Sequence, residues 1–263
     1  MKVSHREQGL RHGDYRRYRQ YCARRLRRLY KTSENFCHKK DLGPGGGNEK
    51  QKHKFEKKPL RGEDGAFLIQ DPSRELLIPL VQSERCWALA NELKDDNLMG
   101  GAMNAAKRAH AKKRLKKACT HAKEFKDACA HFGDAKLKLE SEAYCSYILG
   151  VTDLNDGAKK NCGAVATREL TRAKKIYELL GKVGPTEHKM NYEGRARELE
   201  LMVSTGIRLA NDFIDVKKEV AEVEREVENS TNMREATELL KLSDPLLTGG
   251  ETTLASHIQW RSK

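Results

Sequence analysis

The chain has 263 residues, 38% of them hydrophobic and 34% charged, with 51 Lys+Arg against 38 Asp+Glu and a net charge of +13. That is apolar material for one large domain or two small ones, and no apolar run approaches the roughly 18 residues a membrane-crossing helix needs. The basic N-terminus is not followed by the apolar stretch of a signal peptide, so the sequence reads as a soluble protein that is not exported.

The charge is unevenly placed. Residues 1–61 hold 19 Lys+Arg and 6 Asp+Glu, which accounts for the whole +13, and the other 202 residues hold 32 of each sign. A neutral body with a basic segment at one end is the electrostatic footprint of a polyanion binder. The seven cysteines (22, 37, 86, 119, 129, 145 and 162) are scattered, odd in number and form no CxxC pair. They read as reduced thiols of a cytosolic or nuclear protein. Neither Cys37-His38 with His53 nor Cys129 with His131 completes a four-ligand set, so no metal and no cofactor is expected.

In chain order, Asp14 is a good N-cap, and Tyr15 to Lys31 contains neither Gly nor Pro, which predicts a helix. Residues 36–65 read as linker, with Gly43-Pro44-Gly45-Gly46-Gly47 at its centre and Pro59 and Gly62 beyond. Helical periodicity resumes over Ser73–Lys94, with Pro79 expected to kink the first turns or move the start. Further helices are predicted over Ala102–Ala130, Asp134–Leu149 with Gly150 as its stop, and Ala164–Lys182. Glu187 to Asn229 is long enough for one bent helix or two, and Met233–Leu242 is a short last one. The fold class is all-α: stacked antiparallel helical hairpins in a tetratricopeptide-like solenoid, although the 34-residue consensus is not visible. The expected division is a basic helix over 1–35, a flexible Gly/Lys-rich linker over 36–72, a helical-hairpin body over 73–245 and a tail over 246–263.

The stretch 14–31 is the most informative. Tyr15, Tyr18, Cys22, Leu26 and Leu29, at spacings 3, 4, 4, 3, form one apolar stripe able to dock on the body. Arg17, Tyr21, Arg24 and Arg28 form a second face, and Arg16, Gln20 and Arg27 a third. Like charges meet at i,i+3 or i,i+4 in the pairs 16/19, 24/27, 24/28, 25/28, 27/31 and 28/31. At roughly 0.2–0.5 kcal/mol each they oppose the helix by about 1–3 kcal/mol, with only Asp14 to offset them. A merely solubilising face would mix in glutamates. Seven Arg to one Lys favours planar, forked donors that grip phosphates. A helix is too wide for the regular major groove of duplex RNA, so an arginine helix reads RNA where a bulge, loop or junction opens that groove. Tyr21 is the best candidate to stack on an unpaired base, since Tyr15 and Tyr18 belong to the core stripe. No zinc-finger, basic-zipper or homeodomain pattern points to DNA.

The expected RNA contacts are therefore Arg11, His12, Arg16, Arg17, Arg19, Tyr21, Arg24, Arg25, Arg27, Arg28 and Lys31. A second basic cluster, Lys107, Arg108, Lys112, Lys113, Arg114, Lys116 and Lys117, reads either as a solubilising or nuclear-localisation-like run or as RNA contact, in which case Lys112, Lys113, Arg114, Lys116 and Lys117 meet flanking backbone. Lys52, His53 and Lys54 form a weaker third patch, from which Lys54 is taken.

The wording of the sequence also carries a resemblance. Gln8-Gly9-Leu10-Arg11-His12-Gly13-Asp14-Tyr15, followed by Arg17-Tyr18-Arg19, Tyr21-Cys22 and Arg24-Arg25-Leu26-Arg27-Arg28-Leu29, resembles the family of the sixty-eight-kilodalton subunit of the eukaryotic signal recognition particle. Further similar blocks are His53-Lys54-Phe55, Glu84-Arg85-Cys86-Trp87-Ala88, Arg114-Leu115-Lys116-Lys117-Ala118 with His121-Ala122, Asp134-Ala135-Lys136, Leu139-Glu140, Ala143-Tyr144 and Lys175-Ile176-Tyr177-Glu178. The resemblance implies a tetratricopeptide-like domain that binds the particle RNA near its three-way junction and remodels a nearby loop. It also implies the other particle subunits as partners, the large one through a C-terminal region absent here, and the ribosome indirectly. The implied setting is cytoplasmic, with nuclear and nucleolar assembly, in support of co-translational targeting to the endoplasmic reticulum.

Two other functional classes fit the sequence less well. Gly45-Gly46-Gly47-Asn48-Glu49-Lys50 lacks the spacing and the strand–loop–helix setting of a phosphate loop, and no nucleophile, base and orienter can be assembled, so no enzyme is expected. A protein-interaction scaffold would suit the acidic stretch 187–251, where Val216, Val220, Val223 and Val227 repeat at 4, 3, 4 as core or as a coiled-coil seam. Such a scaffold has no need of +13 in its first 61 residues.

Overall fold

A computed structural model describes residues 8–33, 36–39, 54–57, 72–98, 105–156, 162–183, 186–210 and 213–242. Eight α-helices make up most of these residues: α1 (Tyr15–Thr32), α2 (Pro72–Leu98), α3 (Ala105–Phe132), α4 (Ala135–Leu154), α5 (Cys162–Val183), α6 (Thr186–Leu209), α7 (Phe213–Asn229) and α8 (Thr231–Leu242). A 3-10 turn over Leu10–His12 precedes α1. The class is all-α, as expected.

Through α6 the helices stack antiparallel in chain order, and cross-contacts give each direction, as where Gly150 of α4 abuts Leu170 of α5 while Leu139 packs with Ile176 and Leu180. Arg19 of α1 meets Glu92 of α2 while Ser33, beyond the other end of α1, meets Glu75. Ser83 of α2 bonds the Ala118 carbonyl of α3, and Ala90 packs with Ala111 and Leu115, further toward the start of α3. Cys119 of α3 lies against Ile148 and Thr152 of α4, and Lys126 against Glu142. Gly163 of α5 abuts Leu209 and Ala210, whereas Gly181 abuts Tyr192. The last two helices fold back: Arg172 and Lys175 of α5 pair with Glu226 and Glu228 of α7, so these two run parallel. Met233 and Ala236 of α8 close over Ala135 and Leu139 of α4.

Apolar periodicity accounts for the core. Ala118, Ala122, Phe125 and Cys129 of α3 recur at 4, 3, 4 and pack on Tyr144, Cys145 and Ile148. Val216, Val223 and Val227 are buried and Val220 half-buried, so the valine row is core packing.

Three boundaries differ from the sequence reading. Pro79 lies inside α2, which begins at Pro72, where a proline is tolerated because the first N–H groups of a helix lack an internal partner anyway. Gly150 does not stop α4, which continues to Leu154. A Cβ at Gly150 would stand 2.6 Å from Leu170 Cγ, so this glycine serves close helix approach and not an end. Inside the expected linker, Phe36–Lys39 (β1) and Lys54–Lys57 (β2) pair antiparallel, with Phe36 opposite Lys57. The Gly43–Gly47 run and the tail 246–263 lie outside the described residues.

Candidate nucleic-acid interface

The site is built on α1. Asp14 caps the helix, its Oδ1 accepting from the Arg17 N–H at 2.9 Å. Gly9 (φ 112°) and Gly13 (φ 71°) adopt left-handed backbone that turns the chain into it. The predicted stripe docks: Tyr18, Cys22 and Leu26 are 0–2% exposed and pack on Ile78, Val81 and Ala88 of α2. Tyr15 meets Trp87 edge-on, ring centroids 5.6 Å apart.

Polar bonds fix the same docking at three levels, each through a glutamate of α2. The Tyr18 hydroxyl donates to Glu84 at 2.8 Å in the buried interface. Burial raises the Glu84 carboxyl above the usual carboxylate range, and the Tyr18 bond partly offsets this. Arg19 forks onto Glu92, with Nη2 to Oε1 at 3.1 Å, and the bond raises its pKa. Ser33 bonds Glu75 at the far end. Burial pushes the Cys22 thiol up to about 12.

What α1 leaves outside is basic. Arg16, Arg17, Arg24, Arg27, Arg28 and Lys31 are exposed, as is His12. Among the described residues none of these forms an ion pair, while cations of the body do: Arg172 with Glu226, Lys174 with Glu200, Lys175 with Glu228 and Arg195 with Glu198. These four cations are thus neutralised in place.

Four expected contacts are engaged inside the protein. Arg19 is held by Glu92. Tyr21 is half-buried against the α1–α2 core and stacks on Tyr18 with centroids 6.1 Å apart. It is therefore not the open platform expected, because its position on the rim of the stripe brings it against the core. Arg25 donates to the Tyr21 hydroxyl at 3.3 Å. On α3, Lys112 pairs with the buried Asp156. The other α3 cations remain outward: Lys107, Arg108, Lys113, Lys116 and Lys117 are exposed and Arg114 is half-buried, donating to His110 at 3.0 Å. The side chains of Arg11 and Lys54 lie outside the described residues, although their backbones belong to the 3-10 turn and to β2.

Sequence reasoning missed Arg85, an exposed residue of α2. Its charge opposes the burial-driven rise in the pKa of Cys22 and Tyr30 of α1. An arginine outside any charge run gives no signal in the sequence, and its bearing on α1 appears only once α1 packs on α2. The α2 glutamates were also missed as docking groups, though a Glu amid apolar residues was the available clue.

Among the described residues no helix is long and apolar enough to cross a membrane. Residues 10–263 match the family described as RNA-binding signal recognition particle 68. Signal recognition particle subunit SRP68 of Drosophila melanogaster is 32% identical over 199 residues, covering 75% of this chain and 30% of that protein. The proteins of the same name from Dictyostelium discoideum and Caenorhabditis elegans are each 30% identical over 207 residues. These alignments cover 74% and 76% of this chain and 29% and 30% of the relatives. The chain thus spans less than a third of the length of the relatives it matches. With an arginine-faced helix docked on an all-α body, it belongs to the RNA-binding signal recognition particle 68 family.

Proposed function

We propose that the chain is the RNA-binding part of a signal recognition particle subunit, and that α1 enters the particle RNA near its three-way junction, where an opened groove admits a helix. The observation that carries this reading is the set of outward arginines, Arg16, Arg17, Arg24, Arg27 and Arg28, which lack acidic partners among the described residues. The opposite face of the same helix is locked to the body by Tyr18, Cys22, Leu26 and the α2 glutamates. The guanidinium groups are held close together against their own repulsion, so a phosphate-lined groove relieves an electrostatic strain that already exists.

The action is binding and shaping of RNA, with no bond made or broken in it. A helix about 10–12 Å across with its side chains does not enter the major groove of a regular duplex, so preference for a junction follows from size. Widening of a nearby loop is the expected consequence of that insertion. The remaining particle subunits are the proposed protein partners, the large one through a region outside this chain, and the particle acts in the cytoplasm after nuclear or nucleolar assembly. A gel-shift comparison of junction-containing particle RNA with a perfect duplex of equal length tests the reading. Tighter binding to the junction RNA is expected, and equal affinity overturns it.

A further inference from the structure

At the other end of the antiparallel stack, α6 has two unlike sides. Its side toward α5 is core: Tyr192, Leu199 and Val203 are buried among Leu170, Ala173, Ile176 and Leu180. Its opposite side is open. Met190 and Leu201, 80% and 73% exposed, are the most exposed large apolar side chains among the described residues. A Cβ added at Gly194, beside them on the helix surface, would meet nothing within 4 Å. Solenoids end in helices with a polar outer face, because an apolar outer face calls for another layer.

The charge on this side is uncompensated as well. Met190, Arg197, Leu201 and Arg208 follow one another at spacings 7, 4, 7, which at 3.6 residues per turn keeps all four within roughly 40° of arc. Arg197 and Arg208 are exposed and form no ion pair among the described residues. Their bonds stay within α6: Arg197 Nε donates to the Glu193 carbonyl and Arg208 Nη2 to the Thr205 hydroxyl, each at 3.3 Å. The acids of the same helix are already engaged, Glu193 by Lys189, Glu198 by Arg195 and Glu200 by Lys174. The row therefore alternates bare apolar groups with guanidinium groups that lack a counter-charge.

We propose that α6 docks an acidic amphipathic helix of a partner protein, which lies antiparallel to it and adds one more layer to the stack. A phosphate backbone would answer Arg197 and Arg208 but leave Met190 and Leu201 in water, whereas a helix that alternates acidic and apolar residues answers all four. From its N-terminus such a helix presents acid, apolar, acid and apolar residues at spacings 7, 4, 7, opposite Arg208, Leu201, Arg197 and Met190 in turn. It needs about 19 residues, roughly 28 Å, to span the row, at the 8–10 Å axial separation usual for packed helices. The inference stands on α6 alone and does not depend on the RNA-binding reading of α1.

The test titrates the whole 263-residue chain into a fluorescent synthetic helical peptide carrying Glu, Leu, Glu and Leu at those spacings, read by anisotropy. Saturable binding is expected, with none to a scrambled peptide of the same composition. Leu201→Ser should weaken it about tenfold, the worth of one buried leucine side chain. A variant with Arg197→Glu and Arg208→Glu should lose the acidic peptide and bind a counterpart with Lys in place of Glu. These are exposed positions, and circular dichroism checks that helicity is intact. Absence of saturable binding, equal binding of the scrambled peptide, or unchanged affinity in both variants overturns the proposal and leaves the α1 reading standing. Junction-containing particle RNA should bind both variants as it binds the native chain. A tenfold loss of RNA affinity in the double variant assigns the row to RNA and overturns the proposal.

Discussion

Tyr18 of α1 and Glu84 of α2 are 66 residues apart in sequence, and the phenol donates to the carboxylate at 2.8 Å with both residues almost fully buried. This bond attaches the arginine helix to the body, and it places an acid where water cannot solvate it. Glu84 has its folded-state pKa raised, chiefly by burial. Its folded form therefore holds a proton that the unfolded chain has already released, and the stability it contributes is lost as pH rises from the ordinary carboxylate value through the raised one. Glu84→Gln should flatten the fall in stability over that window, as read by urea unfolding at a series of pH values. Tyr18→Phe removes one hydrogen bond from the buried Glu84 and should cost about 1–3 kcal/mol.

Leu26 tests whether docking of α1 matters for binding. At 2% exposure it fills the α1–α2 interface, and Leu26→Ala should cost about 2–5 kcal/mol through the cavity it leaves. Cys22, buried one turn before it with its thiol held near 12, is the reporter. Alkylation of Cys22 should be slow in the native protein and markedly faster in the Leu26→Ala variant, with RNA affinity falling in parallel.

Arg19 separates docking from recognition. Its fork onto Glu92 predicts a coupling of about 1 kcal/mol in a double-mutant cycle with Arg19→Gln and Glu92→Gln. Arg19→Gln should leave the salt slope of RNA binding unchanged, whereas Arg24→Gln should lower it by about 0.7.

Gly163 tests the body alone. A helical Gly→Ala change ordinarily gains about 1 kcal/mol. Here the new Cβ would stand 2.6 Å from the Ala210 nitrogen and the Leu209 carbonyl carbon, backbone that cannot swing aside. Gly163→Ala should therefore destabilise by about 1–3 kcal/mol, seen as a lower Tm, with RNA affinity unchanged well below that temperature.

Much of the fold was legible because long helices announce themselves by period, and the docking stripe of α1 was readable from Tyr18, Cys22 and Leu26 for the same reason. Partner choice was not legible. That Arg19 is spent on Glu92 and Tyr21 is folded onto the core depends on which α2 residues face α1, and helical spacing within α1 carries no such information. Gly150 was misread as a stop because a glycine that permits close helix packing and one that ends a helix look alike in sequence. Arg85 was invisible for the converse reason: it bears on α1 only through the packing of α2 against that helix.

The most direct measurement compares junction-containing particle RNA with an equal-length perfect duplex, for the native chain and for a variant with Arg17, Arg24 and Arg28 replaced by alanine. The native chain should prefer the junction, with a log–log salt slope of roughly −4 to −6 for five to eight neutralised phosphates. The variant should lose that preference at unchanged helicity. A variant that still prefers the junction would contradict the account, because the face of α1 turned away from the body would then not be what reads the RNA.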